Sequence, residues 1–395
     1  MPDSVQKLLA ELVRFDSTSR HSNLELIQWI SQYLAQWGIV SRLTFDDTGK
    51  KANLFARVGP GEGPVLILSG HSDVVPVDGQ EWNSPPFVLT DTNDGRLYGR
   101  GSADMKGFIA CVLAMVPHWV ALAESGTLQH AVGLAFSYDE EVGCLGVRRL
   151  IDGLRQDGVV VSGCIIGEPT SMRPVIAHKG IAHYRCRVLG RAAHSSLTPL
   201  GVNAIEYAAK LIIHLRRLAE TEAAFGPHQP LYDVPFNTLQ TGTITGGAAP
   251  NIVPKDCEFI FECRWLPGDR PERFVESLRD YATTLLPEMR QTAPEADIII
   301  EPLVYCPAFE ADPASEVMRY AEKLSDCCQG VGVAYTTEAG LFHEAGIPCV
   351  VLGPGSIEQA HRADEYIEVS QLEACQDWLA RLVDELCHQP PVLLR

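Results

Sequence analysis

Two hydrophobic patterns alternate along residues 1–175, and few folds accommodate both. Apolar residues recur with the period of a helix over 4–15 and 23–37. Short apolar runs, each bounded by glycine or a polar cluster as buried strands are, lie at 53–58, 65–69, 131–137 and 164–166. Strands of this kind, separated by helices, are typical of a parallel sheet covered on both faces. The pattern therefore predicts an α/β fold with a central mixed, mostly parallel sheet.

The middle of the chain follows a different order. A half-exposed strand at 181–189, a helix at 202–218, two strands at 238–245 and 257–264, a helix from 271 and a strand at 298–305 follow one another. This β-α-β-β-α-β order is the ferredoxin-like α+β pattern. Beyond residue 306 the first pattern resumes, with a helix at 314–327, strands at 332–336 and 349–352, and a helix at 371–387. We therefore predict one α/β domain over 1–179 and 307–395, with 180–306 inserted as a second domain.

Charge and hydropathy exclude two classes of partner. The chain of 395 residues has 50 acidic and 32 basic residues, a formal charge of −18, whereas nucleic-acid binders normally show a basic excess. The longest uncharged apolar run, 107–123, contains Pro117 and His118 and is shorter than the ~20 residues that a membrane span needs. We expect a buried helix there, and neither a nucleic-acid nor a membrane partner.

The cysteines and the N-terminus indicate the compartment. The twelve cysteines are scattered with no Cys-x-x-Cys, which favours reduced, mostly buried thiols over a structural zinc-thiolate site. Charged residues occupy the first turns, so no apolar signal-peptide core can be drawn. A cytoplasmic location is expected.

Charged residues follow the apolar strands at several points, and ligands of open α/β sheets collect at the carboxyl ends of strands. These segments are His71-Ser72-Asp73, the stretch from Gly99 to Gly107 with Asp104, the run Tyr138-Asp139-Glu140-Glu141, the turn Gly167-Glu168-Pro169, and His361 after Gly353-Pro354-Gly355-Ser356. Each has an ordinary alternative: a loop histidine for His71 and His361, a helix N-cap for Asp104, a solvated acidic turn for 139–141 and a charged turn for Glu168.

Taken together, the same segments indicate a metal centre. Two histidines with about four carboxylates suit Zn²⁺, Co²⁺ or Mn²⁺ better than Ca²⁺ or Mg²⁺. The set is larger than one catalytic zinc uses, and two ions bridged by one carboxylate would account for most of it. Among these segments, Gly99-Arg100-Gly101 lacks the third glycine of a dinucleotide fingerprint, and no Gly-x-Ser-x-Gly, P-loop or His-Glu-x-x-His motif is present in the chain.

The motifs resemble those of the dinuclear zinc exopeptidase and aminoacylase family, over essentially the whole chain. The runs 69–80, 137–146 and 177–180 look most like its acetylornithine-deacetylating subfamily, and they occur in the family's order. The resemblance implies a zinc-peptidase-like catalytic domain and an inserted lid that pairs two chains into a homodimer. It also implies two Zn²⁺ per chain, with Co²⁺ able to substitute.

The resemblance assigns roles residue by residue. The metal ligands would be His71, Asp104, Glu141, Glu168 and His361, with Asp104 shared between the ions. Glu140 would be the general acid/base for a metal-activated water, Asp73 would orient His71, and His194 would stabilise the oxyanion in a neighbouring active site. Candidate substrate-binding residues are Arg264, Asn251, Gly355 and Ser356. From charge alone, Glu338 is a candidate partner for a substrate ammonium group.

The implied reaction is hydrolysis of N²-acetyl-L-ornithine to L-ornithine and acetate, a step of arginine biosynthesis. Deacetylation of acetylcitrulline, desuccinylation of succinyl-diaminopimelate, and aminoacylase or carboxypeptidase activity remain open, because they would share the metal site. A non-catalytic binding protein is the remote alternative, since all five ligand candidates and Glu140 are present.

Overall fold

A computed structural model describes residues 3–325 and 330–388 of the chain. Residues 1–2, 326–329 and 389–395, which include the end of the helix expected at 314–327, lie outside the described residues. Within the described part, residues 3–176, 310–325, 330–331 and 337–388 form one compact unit, and residues 177–309 and 332–336 form a second.

A nine-stranded sheet has most of its residues in the first unit. Its strands are β1 (Ser41–Phe45), β2 (Ala52–Val58), β3 (Val65–His71), β6 (Ala131–Ser137), β7 (Val161–Ile166), β8 (Val175–His178), β13 (Phe309–Glu310), β14 (Val331–Val333) and β15 (Cys349–Val351). The order is β1-β2-β6-β3-β7-β15-β8-β13, with β14 on β8. A three-stranded sheet, β16-β5-β4, consists of β4 (Thr90–Asp91), β5 (Arg96–Tyr98) and β16 (Tyr366–Glu368).

The centre of the large sheet is parallel and buried. Strand β3 pairs in parallel with both β6 and β7, and β15 pairs in parallel with β7. Every residue of β3 and β6 is buried, as the uninterrupted apolar runs indicate. Because parallel strands share one direction, the segments that follow β3, β6 and β7 leave the sheet at the same edge. The predicted fold class is confirmed.

Helices cover this sheet. They are α1 (Val5–Val13), α2 (Leu24–Gln36), α3 (Gly107–Glu124), α4 (Leu145–Gln156), α7 (Glu316–Leu324), α8 (Ala339–Glu344) and α9 (Val369–His388), with a π-type turn at Ser102–Lys106 and a short 3₁₀ turn at Ile357–Gln359. Ser4 is the N-cap of α1, because its side chain accepts a hydrogen bond from the Lys7 N–H. Among the described residues, the stretch Ser102–Glu124 is the one helix apolar and long enough to cross a membrane. Nine of the first ten residues of α3 are nevertheless buried in the fold, as in a core helix.

The second unit contains a four-stranded antiparallel sheet and two helices. Its elements are β9 (Gly180–Leu189), the 3₁₀ turn Ser195–Leu200, α5 (Ala204–Phe225), β10 (Thr238–Gly246), β11 (Asp256–Trp265), α6 (Glu272–Thr292) and β12 (Asp297–Cys306). The strand order is β10-β11-β9-β12. Alternate residues of β11 are buried, and they form a core with the apolar faces of α5 and α6. The arrangement matches the β-α-β-β-α-β order expected from the sequence.

Candidate metal centre

His71 is the last residue of β3 and is 1% exposed. Its Nδ1 lies 2.9 Å from the carbonyl oxygen of Asp73, which leaves Nε2 to face the end of the sheet. That Nε2 lies 3.0 Å from Asp104 Oδ1 and 3.9 Å from Glu168 Oε1. A hydrogen bond at one ring nitrogen fixes the orientation of the other, as in metal-ligating histidines.

Asp104 occupies the irregular turn before α3 and connects two groups of side chains. It is 5% exposed, and its backbone is not helical (φ −120°, ψ 94°). Helix α3 begins three residues later at Gly107, so Asp104 is not its N-cap. The second carboxylate oxygen, Oδ2, lies 3.5 Å from His361 Nε2, and Glu141 Oε2 lies 3.0 Å from the same nitrogen.

Two donor triads result, and they share Asp104. The first contains His71, Asp104 and Glu168, and the second contains Asp104, Glu141 and His361. Within each triad, one ligand atom per residue lies within 4.8 Å of the others. The structure therefore brings together all five residues that the resemblance names as ligands, with the shared carboxylate at the position expected of a bridge.

Glu140 belongs to neither triad, and Asp73 holds its backbone. The Asp73 carboxylate accepts hydrogen bonds from the N–H groups of Glu140 (3.0 Å) and Glu141 (3.3 Å) and from the Ser19 hydroxyl (2.7 Å). Its Oδ1 is 3.7 Å from His71 Nδ1, farther than its own carbonyl oxygen. The Asp73 backbone therefore contacts the imidazole, while its side chain fixes the loop that carries Glu140 and Glu141.

The ionisable groups of this centre perturb one another strongly. Burial raises the pKa of Glu140 and of Glu168 well above its usual range. Burial and the neighbouring charge of Asp104 raise the pKa of Glu141 to about 7. Hydrogen bonds with Asp104 and Glu141 raise the pKa of His361 to about 10. Carboxylates that are buried close together in this way repel one another unless a positive charge compensates them.

Burial acts to raise the pKa of Asp104, but the hydrogen bonds from His361 and His71 outweigh it and hold the pKa below its usual value. Among the three carboxylates of the two triads, Asp104 is thus the one whose ionised form the surroundings favour.

The donor set fits divalent cations. Glu168 is 5% exposed, and its Oε1 has no hydrogen-bond partner, although a buried carboxylate oxygen normally has one. That oxygen faces the imidazole Nε2 of His71. Two imidazoles and three carboxylates in two overlapping triads are a ligand chemistry that Zn²⁺ and Co²⁺ accept.

Three predicted functional residues lie in the second unit. His194 is exposed, and its Nδ1 lies 2.8 Å from Ser196 Oγ. Asn251 is exposed and accepts a hydrogen bond from the Ser195 N–H through its backbone carbonyl. The Arg264 guanidinium donates to both carboxylate oxygens of Glu262, at 2.9 and 3.4 Å, so in this structure a neighbouring side chain occupies the fork predicted for a substrate carboxylate.

Gly355 and Ser356 lie in the first unit, where local contacts engage them. The Gly355 N–H donates to Gln371 Oε1 at 3.2 Å, and Ser356 Oγ accepts from the Glu358 N–H at 3.3 Å. Their role in substrate binding stays a prediction. Glu338 is 1% exposed; its Oε1 accepts a 2.5 Å hydrogen bond from Ser137 Oγ, whereas its Oε2 has no hydrogen-bond partner. Its suggested role towards a substrate ammonium stays a prediction.

Sequence reasoning missed a buried ion pair beside the centre. Arg100 and Glu365 are each 1% exposed, and their side chains are 2.6 Å apart. No spacing or charge pattern indicates this contact, because 265 positions separate the two residues. The one hint in the sequence was that Arg100 lies in the same motif as Asp104, and Glu365 in the same motif as His361.

Comparison with known proteins identifies the family. The profile of Peptidase family M20/M25/M40 matches residues 67–385. The chain belongs to this peptidase family. It is 35% identical over 376 residues to an acetylornithine deacetylase of Aliivibrio fischeri, and the match covers 94% of each chain.

Solved structures of M20 members share the fold. An M20 family metallo-carboxypeptidase of Sulfolobus solfataricus superposes with a TM-score of 0.76 at 19% identity, covering 99% of this chain and 100% of that one. The YXEP protein of Bacillus subtilis, a dinuclear metal-binding peptidase of the M20 family, gives 0.67 at 15% identity, covering 97% and 98%. The prediction of an amide hydrolase is confirmed by membership of the M20 family, and this M20 chain has the donors for a dinuclear metal site.

Proposed function

We propose that this M20 enzyme hydrolyses N²-acetyl-L-ornithine to L-ornithine and acetate, in the cytoplasm and as a step of arginine biosynthesis. The observation that carries the chemistry is the pair of triads sharing Asp104, with Glu140 next to them and outside both. The choice of substrate rests on the acetylornithine deacetylases that match 94% of the chain at about 35% identity.

Two Zn²⁺ per chain are the proposed cofactors, and Co²⁺ is expected to replace them. His71, Asp104 and Glu168 would hold one ion, and Asp104, Glu141 and His361 the other. Ions held there supply a Lewis acid for an acyl carbonyl and lower the pKa of a water molecule. The buried, unpartnered Oε1 of Glu168 and the sharing of Asp104 support two ions rather than one.

Glu140 is the proposed general acid/base. The peptide N–H of Glu140 donates to the Asp73 carboxylate, and this hydrogen bond fixes the backbone position from which the Glu140 side chain extends. In this role, the Glu140 carboxylate takes a proton from the attacking water and afterwards gives it to the leaving amine. Burial raises the pKa of Glu140, which makes its carboxylate a stronger base towards that water.

We propose that the second unit is a lid that pairs two chains. Strand β10 lies at one end of its sheet, and Ile244 on this strand is 52% exposed. Ile205 and Ile213 of α5 are 37% and 53% exposed. An edge strand flanked by exposed apolar side chains is a surface that a second copy can cover. His194 of one chain would then act on the oxyanion in the neighbouring chain's centre.

Arg264, Asn251, Gly355 and Ser356 are the proposed substrate contacts. A guanidinium fork suits the α-carboxylate of an N-acyl amino acid. In the structure Glu262 occupies that fork, so substrate binding would require Arg264 to exchange Glu262 for the substrate carboxylate.

A panel of substrates tests the proposal. Zinc-loaded enzyme is assayed on N²-acetyl-L-ornithine, acetylcitrulline, succinyl-diaminopimelate and acetylmethionine, and kcat/KM is compared. We expect the highest kcat/KM for acetylornithine. A preference for another member would retain the chemistry and assign a sister activity, whereas two bound metals with no hydrolysis of any member would contradict the proposed function.

A further inference from the structure

Glu365 makes more hydrogen bonds to the metal-binding loops than any proposed ligand does. Its Oε2 accepts from Arg100 Nη1 at 2.6 Å and from the Gly101 N–H at 3.0 Å. Its Oε1 accepts from the N–H groups of Ala103 and Asp104 at 2.9 and 3.1 Å. Successive peptide N–H groups that converge on one anion form a nest, and here the anion is a side chain of the protein itself.

These bonds join two of the three loops that carry the second triad, those of Asp104 and His361. Glu365 lies four residues after His361, and its carboxylate holds the backbone of Asp104 directly. Its own carbonyl also accepts from the Gly99 N–H at 2.8 Å. The relative position of Asp104 and His361 therefore depends on a carboxylate that belongs to neither triad.

A third segment completes this connection. Arg100 Nη2 donates to Gln80 Oε1 at 2.6 Å, and Gln80 Nε2 donates to the carbonyl of His361 at 2.9 Å. Asn83 donates through its N–H (2.8 Å) and its side-chain amide (2.6 Å) to the carboxylate of Asp364. The loop of His361 is thus held from both sides, although the imidazole itself is 55% exposed.

We propose that Glu365 is a positioning residue of the metal centre, which sets the spacing between the ligands Asp104 and His361; the inference rests on the proposed metal-dependent function. The physical reason is that His361 is exposed and its φ is +64°, a backbone conformation that only fixed neighbours maintain in a non-glycine residue. Outer groups that fix ligands in this way typically change metal affinity about 10- to 100-fold when they are replaced.

Metal titration tests the proposal without an activity assay. Metal-free wild type and Glu365→Gln are titrated with Co²⁺ by calorimetry, and the visible absorption of bound Co²⁺ is recorded. Glu365→Gln keeps the shape of the side chain but removes its charge and replaces one acceptor oxygen of the nest with an NH₂ donor. We expect two Co²⁺ per wild-type chain, and in the variant an affinity about 10- to 100-fold lower for at least one ion, with an altered Co²⁺ spectrum.

Glu368→Gln is the matched control. Glu368 lies three positions further along, is exposed, and forms only a 4.0 Å ion pair with Arg96 at the surface. The same substitution there should leave both affinities and the spectrum as in wild type. A merely structural role for Glu365 would lower the unfolding temperature of the metal-free variant while leaving Co²⁺ affinities and spectrum unchanged, and that result would overturn the proposal.

If Glu365→Gln does not fold, Gln80→Ala replaces it. Gln80 is partly exposed and connects Arg100 to the His361 carbonyl, so its removal loosens the same connection without burying an unpaired charge. Weaker Co²⁺ binding by this variant supports the proposal, and wild-type binding overturns it. Failure of the proposed function is separately visible, because it would appear in wild type as absent metal binding or absent hydrolysis.

Discussion

At the residue scale, one side-chain contact distinguishes a proposed ligand, Glu141, from the proposed base, Glu140. Glu140 and Glu141 are neighbours in the chain, and both N–H groups are held by Asp73, yet only Glu141 contacts His361. Replacing Glu140 with Gln should lower kcat by about 10²- to 10⁴-fold, the usual contribution of general acid/base catalysis. Metal analysis should still find about two ions per chain, as the proposed site requires. Loss of metal from the variant would instead make Glu140 a ligand.

A second residue-scale prediction concerns His130, which is remote from the proposed chemistry. It is 1% exposed, and neither ring nitrogen has a hydrogen-bond partner. Burial lowers its pKa, while the charge of Glu316 acts in the opposite direction. Because the pKa is lower in the folded state, the unfolded state binds the proton more readily, and the fold loses stability as the pH falls below the unfolded value of about 6.5.

The test of His130 compares urea unfolding of wild type and His130→Phe at pH 7.5 and 5.5. Between pH 7.5 and 5.5, the free energy of unfolding should fall more in wild type than in His130→Phe. The difference is at most about 1.4 kcal/mol per pH unit, the limit for one titrating group. Equal losses in the two proteins would show that His130 is not the group that titrates. Contributions from the metal centre cancel in the comparison.

At the scale of elements, the close approach of the residue after β7 to α3 fixes where Glu168 leaves the sheet. Gly167 follows β7, and a Cβ added there would lie 2.0 Å from the ring of Phe108, which is 2% exposed. Gly167→Ala should lower the free energy of unfolding by about 1–3 kcal/mol, as overpacking does. Gly61→Ala is the control, since a Cβ there meets no atom within 4 Å. Equal urea midpoints for the two variants would contradict this account of the packing.

The elements that could be predicted are those whose sequence pattern matches their burial. Strands β3 and β6 are buried throughout and consist mainly of apolar residues, so the polar residues at their carboxyl ends were expected at one edge, where the structure has them. Strand β1 was not predicted, because it lies at the edge of the sheet and its residues do not alternate between buried and exposed. The strand expected at 332–336 is found at Val331–Val333, because its few pairing partners are non-local and leave little trace in the sequence.

The same distinction applies to the site. The five proposed ligands could be named because they lie in compact motifs at strand ends, and the structure brings them together. The role of Glu365 could not be named, since it depends on contacts with Arg100 and with peptide N–H groups more than 260 positions away. Hydrogen bonds between distant loops follow from the tertiary fold and not from local pattern.

At the scale of the whole molecule, the proposed homodimer makes a prediction that a single chain cannot satisfy. If His194 acts in the neighbouring chain, Glu140→Gln and His194→Ala are each inactive alone but complement each other. In a mixed dimer, the chain with intact Glu140 receives His194 from its partner. Co-expression should therefore restore activity at about one site in four for random pairing of chains about a two-fold axis, and at about one site in two in mixed dimers isolated through two affinity tags. No restoration in isolated mixed dimers would contradict action across the dimer.

Metal dependence of turnover is the most direct test of the whole account. Wild-type enzyme is stripped with a chelator, and ornithine release from N²-acetyl-L-ornithine is measured while Zn²⁺ is added back. Activity should vanish on stripping and return as Zn²⁺ is restored, with two ions bound per chain at full activity, because both triads share Asp104. Ornithine release by metal-free protein, or no release by protein that holds two ions, would contradict it.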